Sequence, residues 1–250
     1  QSAGEGIALG EIRDGAAAVF GSAGQLREGG PAVDENTLFE IGSITKIFTG
    51  ILLADAVLKK KAALVDPISK HLPSDLLAPD SPLHGVTLLD LATHHSGLPR
   101  LPEDLSEGAS PSDPYAHYSV ERLHSYLRRF EESNFEKRGE MSYSNLGIGL
   151  LGYLLERIGE KPYGALVRET IFEPLEMSSS FVQRTANSIP AGVADRFATG
   201  HSGGRAVPHW HLDALCGAGA AVSTARDLAR FAEAHWSGRT PPSLLAAMEM

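Results

Sequence analysis

The most apolar stretch of the chain follows Gly42, and its apolar residues recur at spacings of three and four. These positions are Ile44, Ile47, Phe48, Ile51, Leu52, Leu53, Val57 and Leu58. Because they cover most of the circumference of a helix, the pattern predicts a helix that is buried nearly all round. A second mostly apolar helix is predicted over residues 146–158. Less apolar helical patterns occupy residues 86–93, 119–130, 163–171 and 223–236.

The clearest strand signal lies near the start of the chain. Residues 7–23 contain two short apolar stretches on either side of Asp14–Gly15, a strong turn signal, and they predict a β-hairpin. Residues 38–41 (LFEI) directly precede the first apolar helix. Residues 216–222 are rich in small side chains, which suits a place where two backbones approach closely.

Composition narrows the class of protein. The chain has 250 residues, of which 42% are apolar and 21% are charged, as in an ordinary globular protein. Its formal net charge of −9 and its lack of long Lys/Arg runs argue against binding to nucleic acid. No apolar run is long enough to span a bilayer. Cys216 is the one cysteine, which excludes an intrachain disulfide.

Ser43 and Lys46 are the first candidate catalytic residues. They are three positions apart at the start of the apolar helix, so their side chains share one face of its first turn. A serine hydroxyl needs a base to become a good nucleophile. A lysine serves as that base where burial or nearby positive charge lowers its pKa. Taken alone, the same spacing is also explained by a serine that caps a helix and an exposed lysine.

Tyr143 and Asn145 form the second candidate pair. They lie two positions apart in a polar turn before the second apolar helix, so both side chains can face one cavity. A phenol can relay a proton, and an amide can hold a substrate carbonyl or the lysine amine. His94 and His95 are interpreted as the end of the helix predicted over residues 86–93, rather than as catalytic residues.

Four motifs, in the same order along the chain, resemble those of the serine β-lactamase and penicillin-binding protein superfamily. They are Gly42-Ser43-Ile44-Thr45-Lys46, residues 88–99 (LLDLATHHSGLP), Tyr143-Ser144-Asn145 and residues 217–228 (GAGAAVSTARDL). The Tyr-x-Asn form is similar to class C β-lactamases, D-alanyl-D-alanine peptidases of that type and class VIII esterases. The resemblance covers residues 7–250.

The resemblance implies a role for each residue of the two pairs. Ser43 is expected to be the nucleophile that forms an acyl-enzyme, with Lys46 as its general base. Tyr143 is expected to pass the proton to the leaving group, and Asn145 to bind substrate and orient Lys46. The backbone N–H of Ser43 would form half of an oxyanion hole. Which of Lys46 and Tyr143 takes the first proton stays open, and no metal or organic cofactor is expected.

One motif of the superfamily is not found, a Lys-Thr-Gly or His-Thr-Gly tripeptide on a strand that lines the site. The nearest string, Ala198-Thr199-Gly200, has alanine in place of the cation and stands before residues 217–228 rather than after them. Residues 196–209 are therefore interpreted as a surface loop, and the true motif is expected beyond residue 250. The chain is then expected to be a fragment of a protein of about 330–400 residues, with C-terminal strands missing and an apolar face uncovered.

Two other patterns predict different chemistry. Residues 200–204 match G-x-S-x-G, the nucleophile elbow of α/β-hydrolases, but they lack the apolar strand before and the helix after that an elbow needs. His209, His211 and Asp213 have the H-x-H-x-D spacing of some zinc sites, but few further ligands follow them. A third alternative is a family member that has lost catalysis and binds peptidoglycan or a protein partner, and the intact catalytic set argues against it.

The resemblance implies an α/β (α+β) fold, with an antiparallel sheet flanked by helices and an inserted, mainly helical domain. Residues 1–65 and 193–250 are assigned to the α/β domain and residues 66–192 to the helical domain, with the site between them. The expected reaction is acyl transfer from a β-lactam, a D-alanyl peptide or a carboxylic ester to Ser43 and then to water.

The expected partner is a small-molecule or peptidoglycan-derived substrate, and the oligomeric state is open. The periplasm or the outside of the cell is the expected location, and the single cysteine leaves the cytoplasm open.

Overall fold

The computed structural model describes residues 6–13 and 18–250, which form a mixed α/β fold. Its strands are β1 (Gly6–Glu11), β2 (Val19–Gly24), β3 (Phe39–Glu40), β4 (Phe181–Val182), β5 (Gly200–Ser202), β6 (Arg205–Val207) and β7 (Ala221–Ser223). Its α-helices are α1 (Thr45–Leu58), α2 (Leu88–Ala92), α3 (Val120–Arg128), α4 (Asn145–Gly159), α5 (Tyr163–Val167), α6 (Ala225–Glu233) and α7 (Pro242–Glu249). In this part of the chain no helix is both long and apolar enough to cross a membrane.

The strands pair in three antiparallel groups. β1 and β2 form a hairpin in which Gly6 pairs with Gly24, β7 lies between β3 and β4, and β5 pairs with β6. The hairpin predicted over residues 7–23 is thus confirmed, although its predicted turn at Asp14–Gly15 lies outside the residues that the structure describes. The placement of β3 beside β7 brings the start of α1 next to residues 218–223.

Helix α4 lies at the centre of the core. Its ten consecutive residues from Leu146 to Leu155 are all buried. Gly152 allows the 3₁₀ segment Asp213–Ala218 to approach the helix, since a Cβ built on Gly152 would lie only 2.9 Å from the Cα of Gly217. The close backbone approach predicted for residues 216–222 is therefore confirmed.

Helix α1 is buried less completely than its sequence predicts. Phe48 and Leu53 belong to the core, but Ile44 is 40% exposed and Ile47 is 52% exposed. The prediction of a helix buried nearly all round was wrong, because apolar periodicity records the side chains of one helix and not what packs against each face. Ser43 is exposed and lies next to this open face of α1.

The segment at residues 196–209 is not a plain surface loop, and that prediction was wrong. β5 and β6 pair as a hairpin around Gly203 and Gly204, which have positive φ angles of 57° and 77° that suit glycine.

The main apolar cluster contains residues from both predicted domains, including Phe48 and Leu150. The boundaries of the two domains stay a prediction.

Candidate active site

Ser43 lies in a tight turn that joins β3 to α1. Gly42 has a positive φ of 52°, which glycine adopts without strain, and Gly42–Ile44 forms a 3₁₀ turn before α1 begins at Thr45. The Thr45 hydroxyl donates to the Gly42 carbonyl at 2.7 Å and accepts from the Ala221 N–H at 3.0 Å. Because β7 holds the turn in this way, Ser43 is fixed just before the α-helix rather than in its first turn.

Lys46 is hydrogen-bonded to Ser43. Its Nζ donates to Ser43 Oγ at 3.2 Å and to the Ala218 carbonyl at 2.5 Å, and both acceptors are uncharged. Burial is the largest influence on the pKa of Lys46 and lowers it, and the charge of Arg100 lowers it further. Tyr143 raises the pKa but by less, so the net value lies below the ordinary 10.5. More of this amine is therefore neutral than in a free lysine, as a general base requires.

Tyr143 completes a cluster of three groups. Its hydroxyl oxygen lies 2.6 Å from Ser43 Oγ, and the Nζ of Lys46 lies 4.8 Å from the centre of its ring. Burial raises the pKa of Tyr143, but hydrogen bonding with Lys46 and Ser43 and the positive charges of Lys46 and Arg100 lower it by more, so the net pKa is below 10.0. Tyr143 raises the pKa of Lys46 and Lys46 lowers that of Tyr143, so the protonation of each group affects the other.

The turn that carries Tyr143 is bonded to the end of the predicted LLDLATHHSGLP motif. Ser144 caps α4 by accepting from the Gly147 N–H at 2.8 Å, and its hydroxyl donates to the Pro99 carbonyl at 2.7 Å. The Asn145 N–H donates to the Arg100 carbonyl at 2.9 Å. These bonds fix the start of α4, so the motif has a clear structural role in placing the phenol.

Asn145 begins α4 beside this cluster. Its Oδ1 is buried, and it has no hydrogen-bond partner within residues 6–13 and 18–250. The amine of Lys46 bonds to Ser43 and Ala218 instead, so a backbone carbonyl holds the lysine where Asn145 was expected to do so. The substrate-binding role of Asn145 and the oxyanion-hole role of the Ser43 N–H stay predictions, and the free Oδ1 is an acceptor available to a donor group.

Three groups at the site were not predicted from the sequence. The Ala218 carbonyl belongs to the backbone and leaves no signal in the sequence. Arg100 follows the motif directly, and its guanidinium carbon lies 5.1 Å from the centre of the Tyr143 ring. His94 was interpreted only as a helix end, but its ring faces that of Tyr143 with centroids 4.7 Å apart. The polar side chains of residues 94–100 were the available signal.

The two rival motifs do not form sites in the structure. Gly200–Ser202 is strand β5, and the following glycines turn into β6, so the strand-to-helix turn of a nucleophile elbow is not formed. The H-x-H-x-D side chains bond to three separate partners: His209 to Glu40, His211 to Asp113 and Asp213 to Arg184. No group of three or more His, Cys, Asp or Glu in the described residues is placed to hold a metal ion.

Solved structures define the class to which this fold belongs. The chain matches the crystal structure of a class C β-lactamase from Rhodobacter sphaeroides with a TM-score of 0.80 and 28% identity, over 98% of this chain and 64% of that one. A β-lactamase/D-alanine carboxypeptidase from Pseudomonas syringae matches with a TM-score of 0.81 and 26% identity, over 97% of this chain and 64% of that one. The mixed α/β fold is therefore the one seen in class C β-lactamases.

The family follows from sequence similarity. The Beta-lactamase family model matches residues 1–250, and the chain belongs to that family. A β-lactamase from Yersinia enterocolitica is 28% identical over 241 residues, which are 95% of this chain and 56% of the relative. The D-alanyl-D-alanine-carboxypeptidase/endopeptidase AmpH of Escherichia coli K12 is 30% identical over 236 residues, which are 93% of this chain and 57% of the relative. The chain thus spans little more than half the length of these relatives, and the resemblance inferred from the motifs is confirmed.

Proposed function

We propose that this chain carries the acylation site of a serine hydrolase, with Ser43 as the nucleophile. The strongest support is the placement of Ser43 Oγ, 2.6 Å from the hydroxyl of Tyr143 and 3.2 Å from the Nζ of Lys46. A hydroxyl is thus within hydrogen-bond reach of two groups whose pKa values are both lowered. Such a pair can accept the serine proton and return it to a leaving group.

Acylation begins when Ser43 Oγ bonds to the substrate carbonyl carbon and its proton moves to Lys46 or Tyr143. The tetrahedral intermediate then loses its leaving nitrogen or oxygen, which takes up the proton, and an acyl ester remains on Ser43. In the second half, water attacks the ester carbon and gives a proton to the same pair. The bond between the acyl carbon and Ser43 Oγ then breaks, the pair returns the proton to Oγ, and the carboxylic acid leaves. We assign the Ser43 N–H and the Nδ2 donor of Asn145 to the substrate carbonyl, which leaves Asn145 Oδ1 free to accept from a substrate N–H.

A β-lactam or a D-alanyl peptide is the proposed substrate, because relatives of this chain include β-lactamases and a D-alanyl-D-alanine-carboxypeptidase. Peptidoglycan-derived substrates imply action in the periplasm or outside the cell, which is the proposed location. The main alternative is a carboxylesterase of the class VIII type, since acyl transfer to Ser43 is the same for an ester. A catalytically silent binding module is disfavoured by the hydrogen-bonded set of three groups.

Intact-protein mass spectrometry with a fluorescent penicillin, and in parallel turnover of a p-nitrophenyl ester, tests the proposal in the full-length protein. We expect a penicilloyl adduct on Ser43 that is lost in Ser43→Ala without unfolding. Ser202→Ala is the matched control, because it changes the serine of the rival G-x-S-x-G pattern and should label like the wild type.

The fate of the adduct separates the substrate classes. A long-lived adduct indicates a penicillin-binding peptidase, rapid clearance with β-lactam turnover indicates a β-lactamase, and ester turnover without an adduct indicates an esterase. A folded protein that gives neither adduct nor turnover, or a Ser43→Ala variant that retains turnover, would contradict the proposal.

A further inference from the structure

His94 contacts the chain on both sides of Tyr143. The backbone carbonyl of His94 accepts from the Ser142 N–H at 2.8 Å, and its Nδ1 accepts from the Ser144 N–H at 3.1 Å. These two bonds join one histidine to the residues immediately before and after the phenol. The backbone around Tyr143 is therefore held from the α2 side of the site.

The ring of His94 also packs against the ring of Tyr143. The ring centroids are 4.7 Å apart, and the planes are inclined by 32°. Since the Tyr143 hydroxyl lies 2.6 Å from Ser43 Oγ, a small rotation of the phenol would break that contact. The His94 ring thus limits the positions that the phenol can take.

This arrangement requires a neutral histidine. Nδ1 can accept from the Ser144 N–H only while it carries no proton, so the ring proton is on Nε2. Burial and the charges of Lys46 and His95 lower the pKa of His94 below 6.5. The titratable groups around His94 are Lys46 on α1, Tyr143 before α4 and the neighbouring His95. The guanidinium group of Arg100 lies against the Tyr143 ring.

Resting on the proposed function, we propose that His94 is a positioning residue for Tyr143: the neutral ring holds the phenol against Ser43, and protonation of the ring releases the turn and slows acylation. A proton on Nδ1 would face the Ser144 N–H, so the bond between them would be lost. Acid then slows acylation in two ways: protonation of Lys46 removes the general base, and protonation of His94 frees Tyr143 to move away from Ser43.

Two variants separate this role from a role in folding. His94 has a positive φ of 62°, a conformation that glycine and asparagine tolerate, so neither replacement adds backbone strain. His94→Gly removes the ring and the acceptor. His94→Asn keeps an acceptor oxygen on the side chain and does not titrate. His95→Asn is the matched control, because His95 Nδ1 bonds to Thr93 Oγ1 at 3.0 Å and not to the turn that carries Tyr143.

The measurement is the rate of acylation by the fluorescent penicillin in single turnovers, as a function of pH. We expect His94→Gly to be slower by roughly 10- to 100-fold, the cost of a misplaced catalytic group, and His94→Asn to stay close to the wild type at neutral pH. Below the pKa of His94, the fall of the wild-type rate should steepen by one further proton. That step should be absent in His94→Asn and present in His95→Asn, where it should lie at somewhat higher pH because the charge of His95 no longer lowers the pKa of His94.

Titration of Tyr143 by ultraviolet difference spectroscopy adds a readout that needs no substrate. We expect its midpoint to move in His94→Gly and to stay in place in His95→Asn. Wild-type acylation rates together with an unchanged Tyr143 midpoint in His94→Gly would overturn the role of His94. A moved midpoint in a protein that gives neither an adduct on Ser43 nor turnover of the p-nitrophenyl ester would support the positioning of Tyr143 and overturn the proposed function instead.

Discussion

The two apolar helices α1 and α4 look alike in sequence but differ in what surrounds them. α4 is buried along ten consecutive residues, whereas α1 leaves Ile47 about half exposed. Both helices lead to the candidate site, since Ser43 stands just before α1 and Tyr143 just before α4. The candidate site therefore lies between a helix that is buried in the core and a helix that has one exposed face.

The glycines of the two helices show the origin of the difference. A Cβ on Gly152 of α4 would meet the backbone of Gly217, whereas a Cβ on Gly50 of α1 would meet nothing within 4 Å. Glycine in α4 thus permits two backbones to touch, and that contact places the segment whose Ala218 carbonyl holds Lys46. An apolar pattern with glycines does not by itself tell which of these environments a helix has.

Of the two glycine substitutions, the larger effect on stability is expected at Gly152. In Gly152→Ala the new methyl group would lie 2.9 Å from the Cα and 3.2 Å from the N of Gly217. Because these are backbone atoms that cannot rotate away, we expect the free energy of unfolding to fall by about 1–3 kcal/mol. Urea unfolding followed by circular dichroism measures this change.

Gly50→Ala is the matched control for this experiment on α1. The same substitution there adds a methyl group in open space, and alanine favours a helix over glycine by about 0.5–1 kcal/mol. We expect a protein that is equally or more stable than the wild type. If Gly50→Ala lost as much stability as Gly152→Ala, the contrast between the two helices would be wrong.

A second prediction sharpens the contrast through the tyrosines, all six of which the structure describes. Burial is the largest cause that raises the pKa of five of them: Tyr115, Tyr118, Tyr126, Tyr153 and Tyr163. The pKa of Tyr143 is lowered on balance, so its phenolate should form at lower pH than the others. Ultraviolet difference titration should show one early tyrosinate, ahead of the remaining five.

Tyr143→Phe should remove the early step, and Tyr115→Phe should leave it unchanged. An early tyrosinate that persists in Tyr143→Phe would mean that another phenol has the lowered pKa. The cluster at Ser43 would then lack the electrostatic character inferred for it, since the lowering at Tyr143 comes from Lys46, Ser43 and Arg100.

Local features of the fold could be predicted from the sequence, and features set by distant packing could not. The helix predicted over residues 86–93 is confirmed as α2, whose capping box of Thr87 and Asp90 closes within a single turn. The exposure of Ile44 and Ile47 was missed, because it depends on which segments of the chain reach that face of α1. The same reason explains the hairpin at Gly200–Val207, which was predicted as a loop.

The candidate site likewise has some features that could be predicted from the sequence and others that could not. The pairing of Ser43 with Tyr143, a hundred residues apart, was expected from a resemblance between motifs, since no spacing rule brings such distant residues together. The holding of Lys46 by Ala218 and of the Tyr143 turn by His94 was not expected. Both contacts use backbone groups, whose positions depend on the folded chain and not on the side chains at those positions.

The smallest effect is expected on the open face of α1. Ile47→Ala should change the free energy of unfolding by no more than about 0.5 kcal/mol, because the Ile47 side chain is 52% exposed. Leu151→Ala in α4 is the comparison, since Leu151 is fully buried and its truncation should cost about 2–5 kcal/mol. Chemical unfolding of both variants, with penicillin labelling of Ser43 as a check on the site, gives the two values. A loss in Ile47→Ala on the scale of Leu151→Ala would mean that this face is covered by another surface, and α1 and α4 would then be alike after all.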